Sequence, residues 1–130
     1  MNTDELRIEN TAAVLQPDLS VRTVPLTGDF YAALDRDFDG FRGRWLFVTY
    51  SFSEAWGNWE RHPAGDEIVY LLEGDVEMIL ETPEGERRVH LDKPGSYAVV
   101  PRNTWHTARP RAMTRMLFIT PGEGTEHRPA

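Results

Sequence analysis

From its middle onward the chain is densely punctuated by Gly and Pro, and this spacing constrains its fold more than any other feature. Turn signals stand at Pro63-Ala64-Gly65-Asp66, Glu73-Gly74-Asp75, Pro83-Glu84-Gly85, Lys93-Pro94-Gly95 and Pro101-Arg102-Asn103. The segments between them alternate. Val76, Met78 and Leu80 are apolar within Val76–Glu81, and Val89 and Leu91 are apolar within Arg87–Asp92. A period of two at this length predicts strands with one wet face. Trp45–Phe52, Glu67–Glu73, Ser96–Val100, Trp105–Arg109 and Thr114–Thr120 add five more, several of them apolar on both faces. Many short strands spaced by roughly 8–12 residues predict an all-β antiparallel sandwich or barrel.

The N-terminal third is less regular. Ala12–Leu15 and Ser20–Val24 are expected as edge strands, Asp29–Phe38 as one or two turns of helix, and Gly122–Ala130 as a frayed tail. No internal repeat or low-complexity tract interrupts the 130 residues, so a single domain is expected. With 40% hydrophobic residues the chain fills a core, and disorder is excluded.

Composition narrows the chemistry. The absence of cysteine removes disulfides, thiolate zinc sites and cysteine nucleophiles, so any metal must be held by His, Asp or Glu. A net charge of −7, with the basic residues scattered, argues against nucleic acid and anionic membrane as partners. Asp4, Glu5 and Glu9 stand where a secretory signal needs a positive start, and no stretch approaches the roughly 20 apolar residues of a membrane helix. The expectation is a soluble, cytoplasmic protein.

One group of residues departs from the surface pattern. Glu60 and His62 are two apart, so on an extended segment they leave the same face. Glu67 opens the next strand on the parity of Val69 and Leu71, which sends a carboxylate inward, where it needs pairing, protonation or a metal. His106 follows 44 residues after His62, shortly past Pro101.

The run Glu60-x-His62-x4-Glu67-x6-Gly74, with Gly95-x5-Pro101-x4-His106, resembles the two motifs of the cupin superfamily, and the likeness covers about residues 45–120. The resemblance implies a jelly-roll or double-stranded β-helix barrel. It also implies one divalent ion, with Glu60, His62, Glu67 and His106 falling on the ligand positions. Glu60 stands where the family usually has its first His. Two carboxylates neutralise a divalent charge and favour Mn(II), Fe(II), Ni(II) or Zn(II) over softer ions. Asn103 replaces a family Gly, and Asn is the non-Gly residue that best tolerates a positive φ. Pro110 replaces a terminal Asn, lacks a backbone donor and is expected to end its strand. The resemblance further suggests a homodimer, with Val14, Leu15, Leu19, Val21 and Val24 supplying an exchanged edge strand.

The expected function is that of a metal-dependent enzyme acting on a small oxygenated metabolite by dioxygenase or by isomerase or lyase chemistry, with Glu60 or Glu67 moving protons. The alternative is a non-catalytic, metal-free barrel that binds or senses a small molecule. Glu60 has three open roles: ligand, general base, or ion-pair partner at the barrel mouth. Trp59 and Trp105 each precede a candidate ligand by one residue, so parity places them outside the cavity, at a second sheet or dimer interface. Trp45, Phe47, Tyr50 and Phe52 divide between two faces of one strand and are expected as barrel core. His90 is expected to face solvent and His127, in the tail, to have no role. Arg102, Arg109 and Arg111 surround the second motif and are read as surface charge before substrate anchors.

Overall fold

The computed structural model describes residues 5–130, so the first four residues of the N-terminal stretch lie outside the described residues. The order of elements is β1 (Thr11–Leu15), β2 (Val21–Pro25), α1 (Phe30–Asp37), a 3-10 turn (Asp39–Phe41), β3 (Trp45–Phe52), β4 (Asn58–Arg61), β5 (Glu67–Glu73), β6 (Val76–Thr82), β7 (Gly85–Leu91), β8 (Tyr97–Val100), β9 (His106–Pro110), β10 (Thr114–Thr120) and β11 (Glu126–Pro129). Every strand that alternation predicts is present, and β9 ends at Pro110 as expected. The eight-residue helix is too short to cross a membrane, and no helix among the described residues is long and apolar enough to do so.

The strands form two antiparallel sheets, ordered β2-β1-β3-β10-β5-β8 and β11-β4-β9-β6-β7. Their facing rows carry the core. On β5 the inward residues are Glu67, Val69 and Leu71, and on β10 they are Thr114, Met116, Phe118 and Thr120. Met116 lies opposite Leu71 and Phe118 opposite Val69. Val76 and Met78 of β6 and Ala108 of β9 close on them from the other sheet. On β3 the inward face carries Leu46, Val48 and Phe52, with Tyr50 on the cavity wall, while Trp45 lies outside that row.

Two turn residues fix the sheet connections. Gly74 has φ 111°, and a Cβ there would lie 2.5 Å from the Met113 carbonyl oxygen and 2.6 Å from Thr114 Cα, a space no side chain enters. Asn103 has φ 61°, the left-handed conformation expected of it, and its amide donates to the His62 carbonyl at 3.0 Å. That bond ties the loop before β9 to the loop after β4, so His62 and His106 are brought together by backbone as well as by side chains.

The C-terminal segment corrects an expectation. It does not fray: Glu126 pairs with Arg61, His127 with Glu60 and Arg128 with Trp59 in an antiparallel ladder on β4. Composition reads Gly, Glu and Pro as a loose end. It cannot register that β4, paired with β9 on one side only, presents a free row of backbone groups that a returning strand satisfies. The Arg61–Glu126 ion pair at 2.7 Å and the Arg128–Glu81 contact hold the added strand.

In the other sheet the two strands expected near the N-terminus are present and pair as a hairpin against β3 of the same chain, but only β2 is an edge strand, since β1 lies between β2 and β3. Ala12 and Val14 point into the core, whereas Leu19, at the hairpin tip with φ 73°, is 93% exposed. After the hairpin, α1 buries Phe30 and Leu34 and lies beside the barrel mouth.

Candidate metal centre

Each candidate residue reaches the barrel interior by a separate backbone device. Glu60 and His106 are directly opposed in the pairing of β4 with β9. Glu67 begins the inward row of β5, and His62 follows β4 by one residue. The four residues converge as their spacing predicts. Donor atoms of Glu60, His62 and His106 lie within 4.8 Å of one another. Glu67 Oε1 lies 3.0 Å from His106 Nε2, and Glu67 Oε2 lies 3.4 Å from His62 Nε2. Glu60 Oε2 is 3.8 Å from His62 Nε2.

The outer partners decide which atoms remain free. His106 Nδ1 sits 3.0 Å from the Thr104 carbonyl, which can only accept, so this nitrogen carries the proton and Nε2 carries the lone pair. The Thr125 hydroxyl donates to the Gly122 carbonyl at 3.0 Å and is left as an acceptor for His62 Nδ1–H at 2.8 Å. His62 therefore also presents a bare Nε2. The Thr120 hydroxyl donates to Glu67 Oε2 at 2.5 Å and leaves Oε1 unused.

His62 Nε2, His106 Nε2 and Glu67 Oε1 are buried, and with both imidazoles neutral none of the three meets a hydrogen-bond donor. Three buried acceptors facing one another are costly until a proton or a cation comes between them. A divalent cation satisfies all three, and fixed far nitrogens of this kind are how proteins orient imidazole ligands. The donor set fits a metal on this observation.

The electrostatics agree. Burial opposes a charge on Glu67, but His106 and His62 more than offset it and hold its pKa at about 2 in place of 4.5. Burial likewise opposes protonation of His106, yet the Glu67 carboxylate prevails and raises its pKa. In the metal-free protein a proton is thus drawn to the place where a cation fits.

The centre forms one wall of a cavity of about 960 Å³ that opens between the sheets. Tyr31, Tyr50, Phe41, Trp56 and Phe118 supply much of its lining, and Asp35 stands on it from α1. Trp56 lies against His106 and Phe118, with ring centroids 6.4 and 5.8 Å away. Tyr31 is open to solvent yet surrounded by protein atoms, as befits a cleft wall. Burial and the charges of Glu60 and Glu67 raise its phenol pKa.

A family model described as a cupin domain matches residues 46–121, more than half the chain and all three innermost donors. The chain belongs to the cupin family. None of the curated proteins matches this cupin significantly. Among solved structures, a cupin superfamily protein of Desulfitobacterium hafniense DCB-2 is similar at 22% identity, over 60% of this chain and 67% of that one, with a TM-score of 0.50. An oxalate decarboxylase of Bacillus subtilis with Mn(II) centres is similar at 15% identity, over 65% of this chain and 23% of that one, with a TM-score of 0.53. Peruvianin-I, a cysteine peptidase from Thevetia peruviana latex, reaches 13% identity over 65% of this chain and 56% of that one, with a TM-score of 0.54. At such identities the likeness concerns the fold, and these names show how little a barrel dictates chemistry. The present cupin has no cysteine and hence no thiol nucleophile.

The structure also adds residues to the site. Thr120 shares the inward parity of Met116 and Phe118, so its place was readable in the strand pattern. Thr125 and His127 carried no such signal, since their position follows from the pairing of β11. His127 Nε2 lies 3.4 Å from Glu60 Oε1, so the tail histidine expected to be idle lines the cavity. The remaining candidates fall outside it. Trp59 and Trp105 are held by Arg128, 5.2 and 4.6 Å from their ring centroids, and Trp105 also by Arg61 at 4.6 Å, in place of a second sheet. His90 contacts Asp75 at the surface, and Arg102, Arg109 and Arg111 are exposed and line no part of the cavity.

Proposed function

We propose that this cupin holds one divalent metal ion through His62, His106 and Glu67, with Glu60 as a further carboxylate at the cavity side, and acts as a metal-dependent enzyme on a small oxygenated molecule. The observation that carries the reading is the set of three buried, undonated acceptor atoms whose partners hold them toward one another. Two imidazoles with carboxylates suit Mn(II), Fe(II), Ni(II) or Zn(II). When bound, such an ion supplies Lewis acidity and open positions for a substrate oxygen.

The chain's own residues do the rest. Glu67 is 3% exposed and serves as a fixed donor. Glu60 is more accessible and is the carboxylate placed to take a proton from a substrate and return it. His127, about half exposed, passes that proton between Glu60 and solvent. Trp56 packs beside His106, backed by Phe118, and excludes water from that side. A paired carboxylate and imidazole on the cavity wall favour isomerase or lyase chemistry, which needs a proton moved, over oxygenase chemistry.

Metal analysis of protein purified without chelator or a metal-binding tag is the test. The expected result is close to one divalent ion per chain, lost in His106→Ala. Well under one ion, with His106→Ala unchanged, overturns the metal. Stabilisation by a ligand without turnover would instead assign the barrel to binding or sensing. We also propose a homodimer built on the β1–β2 edge, where Leu15, Leu19, Val21 and Trp45 are exposed. A 15 kDa particle in light scattering at working concentration overturns it.

A further inference from the structure

The cavity lining has an unusual charge inventory. Three carboxylates, Asp35, Glu60 and Glu67, stand on it, and among the described residues that line it there is no Lys or Arg, although the chain carries 14 such residues. Glu67 is engaged with both inner histidines, and Glu60 lies between His62 and His127. Asp35 differs from both, being exposed to solvent where α1 borders the cavity. Its neighbour Arg36 is turned to Asp37 at 2.9 Å, and no ion pair reaches Asp35 among the described residues. Tyr31, one helical turn before it on α1, and Tyr50 of β3 also line the cavity.

These facts bear on what enters. A divalent ion beside Glu60 and Glu67 has its charge cancelled by those two carboxylates, so the occupied centre offers no net positive field to an anion. Asp35 then leaves the cavity negative, and without the ion it is more so. A carboxylate or phosphate ligand would enter with no Lys or Arg to receive it, and the lining imidazole at the open side, His127, is already set against Glu60. An ammonium group would meet an unpaired carboxylate and aromatic faces, which attract cations through the ring quadrupole.

We propose that the oxygenated ligand of this cavity also carries an amine, protonated at neutral pH, on an apolar body, with Asp35 as the residue that selects for its charge. The inference deepens the reading of the cavity as a ligand site and rests on that part of it. It does not depend on the metal, because neither Asp35 nor the rings belong to the donor set.

The test uses three probes of one shape, benzylamine, benzyl alcohol and benzoate, titrated by calorimetry into the full chain as purified and again after dialysis against a chelator. Benzylamine is expected to bind at least about tenfold more tightly than benzyl alcohol, with benzoate weakest, and the order of amine over benzoate persists after chelation. Asp35→Asn is expected to bring the amine to the level of the alcohol without changing metal content. Benzoate binding as tightly as benzylamine in the chelated protein, an unchanged preference in Asp35→Asn, or no binding of the amine at millimolar concentration overturns the proposal. Failure of the metal reading shows separately, as missing ion in the purified protein with the amine preference intact.

Discussion

The two ends of the barrel are built from the same strands and differ in how they treat polarity. Along the inward rows of β5 and β10, one end stacks Leu71 on Met116 and Val69 on Phe118, and Leu71 and Met116 are fully buried. At the other end the same rows finish in Glu67 and Thr120, joined by a hydrogen bond, with His62 and His106 closing from the loop after β4 and from β9. The dry end gains from area removed from water. The polar end gives each group a partner for every atom but one. That difference teaches where stability and function separate: side chains at the first end have no unsatisfied atom to offer, and those at the second are held in place by bonds that leave one.

Substitutions at the two ends should therefore fail in different currencies of measurement. Leu71→Ala removes a fully buried side chain from contact with Met116 and should destabilise the fold by roughly 3 kcal/mol, within the range for buried Leu truncations. Denaturant titration checks this, and the metal content of the folded fraction should stay at the wild-type level. His106→Ala should abolish metal binding instead. It also takes from buried Glu67 the imidazole that holds its carboxylate charged, so the chelated variant is less stable than the chelated parent as well as metal-free. Equal loss of metal in both variants would dissolve the distinction between the ends.

The dry end was legible because alternation is a local signal: β3, β5 and β10 span Trp45–Phe52, Glu67–Glu73 and Thr114–Thr120 as the pattern predicts. The inward turn of Glu67 was legible for the same reason, while the approach of His62 and His106 to it was expected from the motif resemblance. What escaped depends on pairing between distant segments. Thr125 and His127 lie in a Gly- and Pro-rich stretch without alternation, and only the free edge of β4 explains why that stretch forms a strand. Which face of β3 looks inward was likewise undecidable from Trp45, Phe47, Tyr50 and Phe52, since both parities carry aromatics. The structure resolves it through the pairing with β10, whose inward residues are fixed by β5.

Thr125 sharpens the comparison from outside the motif strands. Its hydroxyl fixes the His62 tautomer without touching the other donors. Thr125→Val keeps the shape and removes that acceptor, so metal affinity should fall by about 10- to 100-fold, as for other outer partners of metal-bound imidazoles. Thr125→Ser should restore it. A competition titration with a chromophoric chelator measures both variants. Unchanged affinity in the valine variant would mean that the polar end does not depend on the C-terminal strand.

The smallest expected effect is a slope with pH, and it concerns the polar end alone. In the chelated protein Glu67 is depressed from 4.5 to about 2, so the stability it contributes is present above pH 4.5 and is lost as pH falls from there toward 2. His106 is raised, so its contribution is complete below its ordinary value of 6.5 and disappears as pH rises through the elevated folded value. The chelated protein should therefore be most stable between about pH 4.5 and 6.5 and weaken on either side, by no more than about 1.4 kcal/mol per pH unit for each group. Bound metal should reverse the alkaline limb. It competes with the proton at His106, so binding releases that proton and the stabilisation by metal grows as pH rises. Melting curves at matched pH, with and without chelator, should diverge above neutrality. Leu71→Ala should lower both sets by a similar amount, because no group at the dry end exchanges a proton over this range.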